Sequence, residues 1–109
     1  MSEEKKIFQL HADVCKALGH PLRIQIIDLL QHKSYCFTEL MALTGEQKSN
    51  LSQHLSVMTQ KGILKVSRKG AFNYYALSSP KVAKACRLMR EVLIENLKKN
   101  HILITMLNS

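Results

Sequence analysis

The sequence predicts a mainly α-helical chain with one small β-hairpin, and three observations support this. Apolar residues recur at helical spacing through most of the 109 residues. Between Leu64 and Leu77 that spacing gives way to two β-prone runs around a Gly-containing tip. Hydrophobic residues make up 46% of the chain, which is typical of a globular protein.

Length and charge bound the architecture and the partners. A chain of this length fits one domain, residues 1–109, whose modest core would gain from pairing with a second copy. The formal net charge is +8, from 16 Lys and Arg against 8 Asp and Glu, which favours nucleic acid over a membrane surface as partner. No long apolar run or apolar signal core is present, so we expect a cytoplasmic protein without a membrane span.

Two helices are predicted at the start of the chain. The first covers about Glu3 to Leu18 and would end at Gly19. Pro21 suits the first turn of a second helix that extends to about Gln31. Apolar residues cover much of this second helix, so we expect it to be largely buried, with Arg23 as a surface cation.

A helix-turn-helix is predicted next. After a turn at His32–Tyr35, Thr38 would cap a short helix over Glu39–Thr44, and Gly45 would break it. The second helix begins at Lys48 and carries an apolar stripe of Leu51, Leu55 and Met58. Its opposite face has no carboxylate and presents Ser49, Gln53, Ser56 and Gln60. Hydroxyls and amides bind base edges and phosphates, although an ordinary solvated helix face is the alternative.

The following segment predicts a wing. Leu64–Ser67 and Tyr74–Leu77 bracket a basic tip that contains Arg68 and Lys69. A hairpin directly after a helix-turn-helix places such cations near a phosphate backbone or a minor groove. A merely solvated turn is the alternative.

The last helix predicts a dimer. It runs from about Lys81 to Lys99, and its apolar stripe has no evident partner within so small a subunit: Val82, Ala85, Met89, Val92 and Leu93. We expect the first and last helices to pack across a two-fold axis, with the apolar tail 102–107 in the same interface. A tail that touches a membrane is the alternative.

Together these segments resemble the ArsR/SmtB family of winged-helix repressors. The resemblance rests on Lys16–Arg23 (KALGHPLR), Ile24–Leu30, Thr38–Leu40, Ser49–Leu55 (SNLSQHL), Lys61–Leu64 and Asn73–Leu77. It implies a homodimer that binds operator DNA, with a recognition helix in each of two successive major grooves, and that leaves the DNA when an inducer binds.

Eight residues are candidates for DNA contact. Ser49, Asn50, Ser52 and Gln53 would contact base edges or phosphates, and Lys48, Arg68 and Lys69 would bind phosphates. His54 lies beside the apolar stripe, where a structural hydrogen bond to neighbouring backbone is at least as good an account as a DNA contact.

The inducer sites of the family match this sequence poorly. Of the Cys-x-Cys that thiophilic-metal sensors often carry before the third helix, only Cys36 is present. The last helix has Lys81, Lys84 and Cys86 where zinc sensors carry ligands. We therefore predict no metal ligands and no cofactor, and the inducer is not identified.

The cysteines allow a redox alternative. Cys15 and Cys86 lie on the two helices expected at the dimer interface, where a disulfide or polysulfide bridge would shift those helices. Free cysteines are more often small buried hydrophobes, and a three-cysteine metalloid site would need Cys36 from another element.

No catalytic constellation is present in the sequence. It lacks a Ser/His/Asp or Cys/His arrangement, a Gly-rich phosphate loop and paired carboxylates, so we do not expect an enzyme. The alternative from another class is a winged helix that binds only proteins, against which the basic hairpin argues.

Overall fold

The computed structural model describes residues 2–100 and 102–108, and for 102–104 the backbone alone. In chain order the elements are α1 (Glu3–Leu18), α2 (Pro21–Leu30), β1 (Tyr35–Cys36), α3 (Phe37–Thr44), α4 (Lys48–Gln60), β2 (Leu64–Lys69), β3 (Phe72–Leu77), α5 (Pro80–Lys99) and α6 (Ile102–Leu107). The predicted mainly helical chain with a β-hairpin is confirmed.

Local chemistry sets the helix ends. At α1, the Ser2 hydroxyl accepts a hydrogen bond from the Lys5 backbone N–H, 3.3 Å away. At α2, His20 Nδ1 accepts from the Leu22 N–H at 3.1 Å, and Pro21 occupies the first turn. At α5, the Ser79 hydroxyl accepts from the Lys81 N–H. Each cap satisfies a backbone donor that has no partner within its helix.

Two predictions, for the segment before α3 and for the start of α3, were wrong in detail. Residues Tyr35 and Cys36 form a strand that pairs antiparallel with β3, so the sheet has three strands in the order β1-β3-β2. A two-residue strand is too short to show an alternating pattern. Helix α3 begins at Phe37 with Cys36 as its N-cap, because the Glu39 carboxylate accepts from the Cys36 N–H at 2.9 Å and Thr38 lies inside the helix.

The core fixes the position of α4. Leu51, Leu55 and Met58 are at most 1% exposed and pack with Ile26 of α2 and Leu40 of α3. Gly45 adopts a φ of +69°, a left-handed conformation that lets the chain turn sharply from α3 towards α4. The opposite face of α4 is therefore directed to solvent.

Helix α5 is buried along one side only. Val82, Ala83 and Cys86 pack against the core, whereas Met89 is 69% exposed and Leu93 is 55% exposed. On α1, the side chains of Ile7, Phe8 and Leu10 are all more than 60% exposed. Val82 thus belongs to the packed side and not to the unpartnered stripe predicted from sequence. Among the described residues, none of the helices combines the length and the apolar character needed to cross a bilayer.

The capping carboxylate predicts an acid-dependent term in stability. The hydrogen bond from the Cys36 N–H lowers the pKa of Glu39 below its ordinary value of 4.5. Its stabilising contribution is therefore present above pH 4.5 and is lost as the pH falls through the lowered pKa. Glu39→Gln keeps an acceptor oxygen that does not titrate, so its urea midpoint should fall less between about pH 6 and about pH 3.5 than that of the wild type.

The comparison is made at one protein concentration, because association would shift both midpoints. An identical fall in wild type and Glu39→Gln would contradict this role for the Glu39 carboxylate.

Candidate nucleic-acid interface

The exposed face of α4 is polar and carries no carboxylate. Its exposed side chains are Lys48, Ser49, Ser52, Gln53, Ser56 and Gln60. The N-cap residue, Gln47, makes no side-chain capping hydrogen bond. The first backbone N–H groups of α4, at the positive end of its dipole, are therefore not capped by that side chain and suit a phosphate oxygen.

Asn50 is half-buried and is held from within the turn. Its amide Nδ2 donates to the Glu46 carboxylate at 2.7 Å. This bond fixes the amide orientation and places a negative charge beside the start of α4. The face of the helix itself is free of carboxylates, but the preceding turn is not.

His54 lies beside the apolar stripe of α4 as predicted, but its hydrogen-bond partner and the position of Arg23 differ from the prediction. His54 is only 8% exposed, so the predicted DNA contact conflicts with its burial inside the subunit. Its Nδ1 accepts a hydrogen bond from the Arg23 side chain and not from backbone. Arg23 is consequently half-buried and is not a surface cation. Sequence patterning missed this pair because 31 residues separate its members.

The hairpin has a shorter tip than predicted. Strand β2 extends through Lys69 and β3 starts at Phe72, so only Gly70 and Ala71 lie outside the strands. Gly70 has a φ of +62°, as the first position of a tight two-residue hairpin turn requires. Arg68 and Lys69 are exposed at the end of β2, with the Lys69 ammonium 5.6 Å from the centre of the Tyr74 ring.

A shallow cleft separates α4 from the hairpin. It is lined by Ser52, Leu55, Ser56, Thr59, Gln60, Val66, Asn73 and Tyr75. Side chains alternate along a strand, so Arg68 projects from the same face of β2 as Val66, and Lys65 and Lys69 project from the other face. Arg68 therefore lies on the side of the hairpin that faces α4. Burial raises the pKa of Tyr75, which keeps its hydroxyl neutral.

One charge pattern was missed in the sequence interpretation. Residues 47–90 contain no Asp or Glu and nine Lys or Arg. This segment includes α4, the hairpin and the first half of α5. Lys65, on β2, and Lys81 and Lys84, on α5, were not proposed as DNA-facing cations, although the run without carboxylates could have indicated the segment. A continuous positive segment of this kind favours a polyanionic partner.

The three cysteines have different surroundings. Cys15 is exposed on α1, Cys36 is buried at the start of α3, and Cys86 is half-buried on α5; all three are free thiols. Cys86 lines a cleft with Ile27 and Asp28 of α2, and burial raises the pKa of its thiol. Across residues 2–100 and 102–108, no group of three or more His, Cys, Asp or Glu side chains is arranged to hold a metal ion.

Comparison with known proteins identifies the family. Residues 20–66 match the model of the arsR family of bacterial regulatory proteins. An uncharacterised HTH-type transcriptional regulator of Mycobacterium tuberculosis is 34% identical over 92 residues, which is 84% of this chain and 81% of that protein. The transcriptional repressor PagR of Bacillus anthracis is 33% identical over 82 residues, which is 74% of this chain and 82% of PagR.

Solved structures agree with the fold. A crystal structure from Mycobacterium tuberculosis superposes with a TM-score of 0.80 at 33% identity, covering 86% of this chain and 95% of that one. The homodimeric winged helix-turn-helix DNA-binding domain from Mycobacterium bovis, solved in solution, gives a TM-score of 0.81 at 28% identity, covering 91% and 93%. The predicted winged-helix fold is confirmed, and the chain belongs to the arsR family of bacterial regulatory proteins.

Proposed function

We propose that this chain is a homodimeric transcriptional repressor that binds operator DNA and leaves it when an inducer binds. The observation that carries the proposal is the exposed, carboxylate-free face of α4 beside the cationic end of β2. Such a face offers hydrogen-bonding groups to base edges, and the cations offer charge to phosphates. The family consists of transcriptional regulators, so we infer regulation and not catalysis.

Individual roles follow from position and exposure. Ser49, Ser52 and Gln53 contact base edges or phosphates in the major groove, with Asn50 beside them in the orientation set by Glu46. Lys48 binds phosphate at the start of α4, and Arg68 and Lys69 bind phosphates from the hairpin. His54 makes no direct contact in this proposal because it is buried.

The dimer is proposed from the exposed apolar side chains of α1 and α5. Phe8 on α1 and Met89 on α5 are each 69% exposed. Neighbouring apolar side chains on both helices are also exposed, but to a smaller fraction. Exposed apolar area of this extent is typical of an interface. The related Mycobacterium bovis domain is homodimeric. We therefore propose one DNA-binding unit, residues 1–109, with dimerisation helices at both ends, acting in the cytoplasm.

The thiol-switched version of the same repressor stays a prediction. Cys15 and Cys86 lie on the proposed dimerisation helices, α1 and α5, so a bridge between subunits would act on the spacing of the two recognition helices. Gel shifts with reduced and oxidised protein would separate this signal from another inducer.

Gln53→Ala should relax base preference. Loss of a base contact should cost about 1–3 kcal/mol on the preferred sequence and less on operators already altered at the contacted position. Fluorescence anisotropy on duplexes selected from the DNA upstream of the gene measures both. Gln60→Ala, in the last turn of α4, is the matched control and should bind close to wild type. A Gln53→Ala variant that discriminates operators as wild type does would remove this role.

Arg68→Ala should weaken binding to all sequences and reduce the magnitude of the slope of log affinity against log salt by about 1, because one phosphate contact is lost. Lys65→Ala removes the same charge from the opposite face of β2, farther from the tip, and should change that slope less. Titrations over a range of salt concentrations test this. Equal slopes for the two variants would show that only net charge matters.

Met89→Asp should dissociate the dimer. A carboxylate forced into an apolar interface, once from each subunit, loses solvation without gaining a partner, and we expect the dimer dissociation constant to rise about 100-fold or more. Analytical ultracentrifugation measures the change. Ser56→Asp, on the exposed face of α4, is the control and should remain dimeric. A dimer of unchanged strength in Met89→Asp would place the interface elsewhere.

A further inference from the structure

We propose that Arg23 and His54 position the recognition helix α4 for DNA binding, and that protonation of the His54 ring releases it. The inference rests on the proposed function, since it concerns how that helix is held. It assigns a positioning role to two residues, neither of which lies on the exposed face of α4.

Arg23 links three helices through one side chain. Its Nε donates to His54 Nδ1 of α4 at 2.9 Å. Its Nη1 donates to the Ala17 backbone carbonyl in the last turn of α1 at 3.0 Å. Arg23 itself lies in the first turn of α2. The planar guanidinium holds both donors in a fixed relation, so the end of α1 and the middle of α4 are placed relative to each other.

This link joins the two functional parts of the subunit. Helix α1 is a proposed dimerisation helix, and α4 is the proposed recognition helix. His54 directly follows Gln53 in α4, so a rotation of the helix that moves the His54 ring also moves Gln53 and Ser52. Loss of the Arg23 contact would therefore change the orientation of the proposed base-contacting side chains, although Arg23 does not contact them itself.

The hydrogen bond defines the state of the His54 ring. Because Nδ1 accepts from Arg23, the ring must be neutral, with its proton on Nε2. The charged and titratable groups around it are Arg23 and His20 of α2 and Glu46 of the preceding turn. The His20 ring centre lies 4.3 Å from that of His54, at an interplanar angle of 47°. A protonated His54 would present an N–H to the Arg23 N–H and add a cation beside another.

The environment favours the neutral ring. Burial, followed by the charges of His20 and Arg23, lowers the pKa of His54 below 6.5, and Glu46 opposes the shift. The link is therefore intact at neutral pH and is lost as the pH falls below 6.5 through the lowered pKa.

The direction of the change in DNA affinity on acidification separates this link from an effect of net charge. Acidification makes the net charge of a protein more positive, which by itself strengthens attraction to phosphate. Release of α4 by His54 protonation weakens operator binding instead. A fall in affinity on acidification thus points to the link and not to net charge.

Three variants test the link with full-length protein and a duplex selected from the DNA upstream of the gene. Asn Oδ1 stands where His Nδ1 stands and accepts a hydrogen bond without titrating, so His54→Asn should bind within about threefold of wild type at about pH 7.5. His54→Leu removes the acceptor and should bind about tenfold more weakly. His32→Asn, at an exposed histidine in the turn after α2, should match wild type at both pH values.

The pH profile is the decisive measurement. Between about pH 7.5 and about pH 5.5, wild-type affinity should fall severalfold, by less than about tenfold because the pKa of His54 lies below 6.5, whereas the affinity of His54→Asn should stay level or rise. Circular dichroism confirms that each variant is folded at both pH values. Should His54→Leu prove unfolded, the wild-type and His54→Asn profiles still decide.

A double-variant cycle adds a readout that a separate structural role would not give. Arg23→Met and His54→Leu should be non-additive, the double variant binding about as weakly as the weaker single variant. Parallel pH profiles for wild type and His54→Asn would overturn this inference but not the proposed function. So would a double variant whose loss of affinity equals the product of the two single losses. A wild type that binds no duplex at either pH would overturn the proposed function as well.

Discussion

Burial of one face of α4 is the constraint on which the rest of the structure depends. Leu51, Leu55 and Met58 are almost fully excluded from solvent, and a helix that buries one stripe must expose the opposite one. The exposed serines and glutamines therefore owe their position to apolar residues of the same helix. Gly45 and the capped start of α3 place α4 at the surface, so the side that stabilises the fold and the side proposed to contact DNA belong to one element.

The positively charged residues are concentrated in the segment that contains α4 and the hairpin. The carboxylates lie before residue 47 or after residue 90, and the segment between carries nine of the 16 Lys and Arg. Asp28 lies 3.5 Å from the Arg90 guanidinium, which offsets part of its repulsion of a polyanion. Glu46 bonds to the neutral Asn50 amide and keeps its negative charge beside the start of α4. The inward-directed cation, Arg23, serves a buried ring and a backbone carbonyl instead of phosphate. In the proposed function, exposed cations of α4 and β2 attract DNA, and Arg23 orders the helix presented to it.

Sequence patterning predicted the elements because their periodicities are local. The bounds of α1 and the starts of α2 and α4, together with the two strands of the hairpin, follow from apolar spacing and from Gly and Pro positions. It failed where structure depends on distant partners. Strand β1 exists only because β3 lies beside it, and the burial of His54 depends on Arg23. The exposed candidates on α4 and at the end of β2 lie where predicted, but their contacts with DNA depend on a partner outside the chain.

The short strand β1 has a mechanical consequence. Cys36 pairs with Tyr74 of the hairpin and is also the N-cap of α3. The first helix of the helix-turn-helix therefore follows directly, along the chain, from a residue that is paired with the hairpin in the sheet. This connection constrains the distance between the hairpin and α4 within a subunit, so in the proposed complex each subunit would contact its half-site at one spacing. Adaptation to operators with different half-site separations would have to come from flexing between the two subunits.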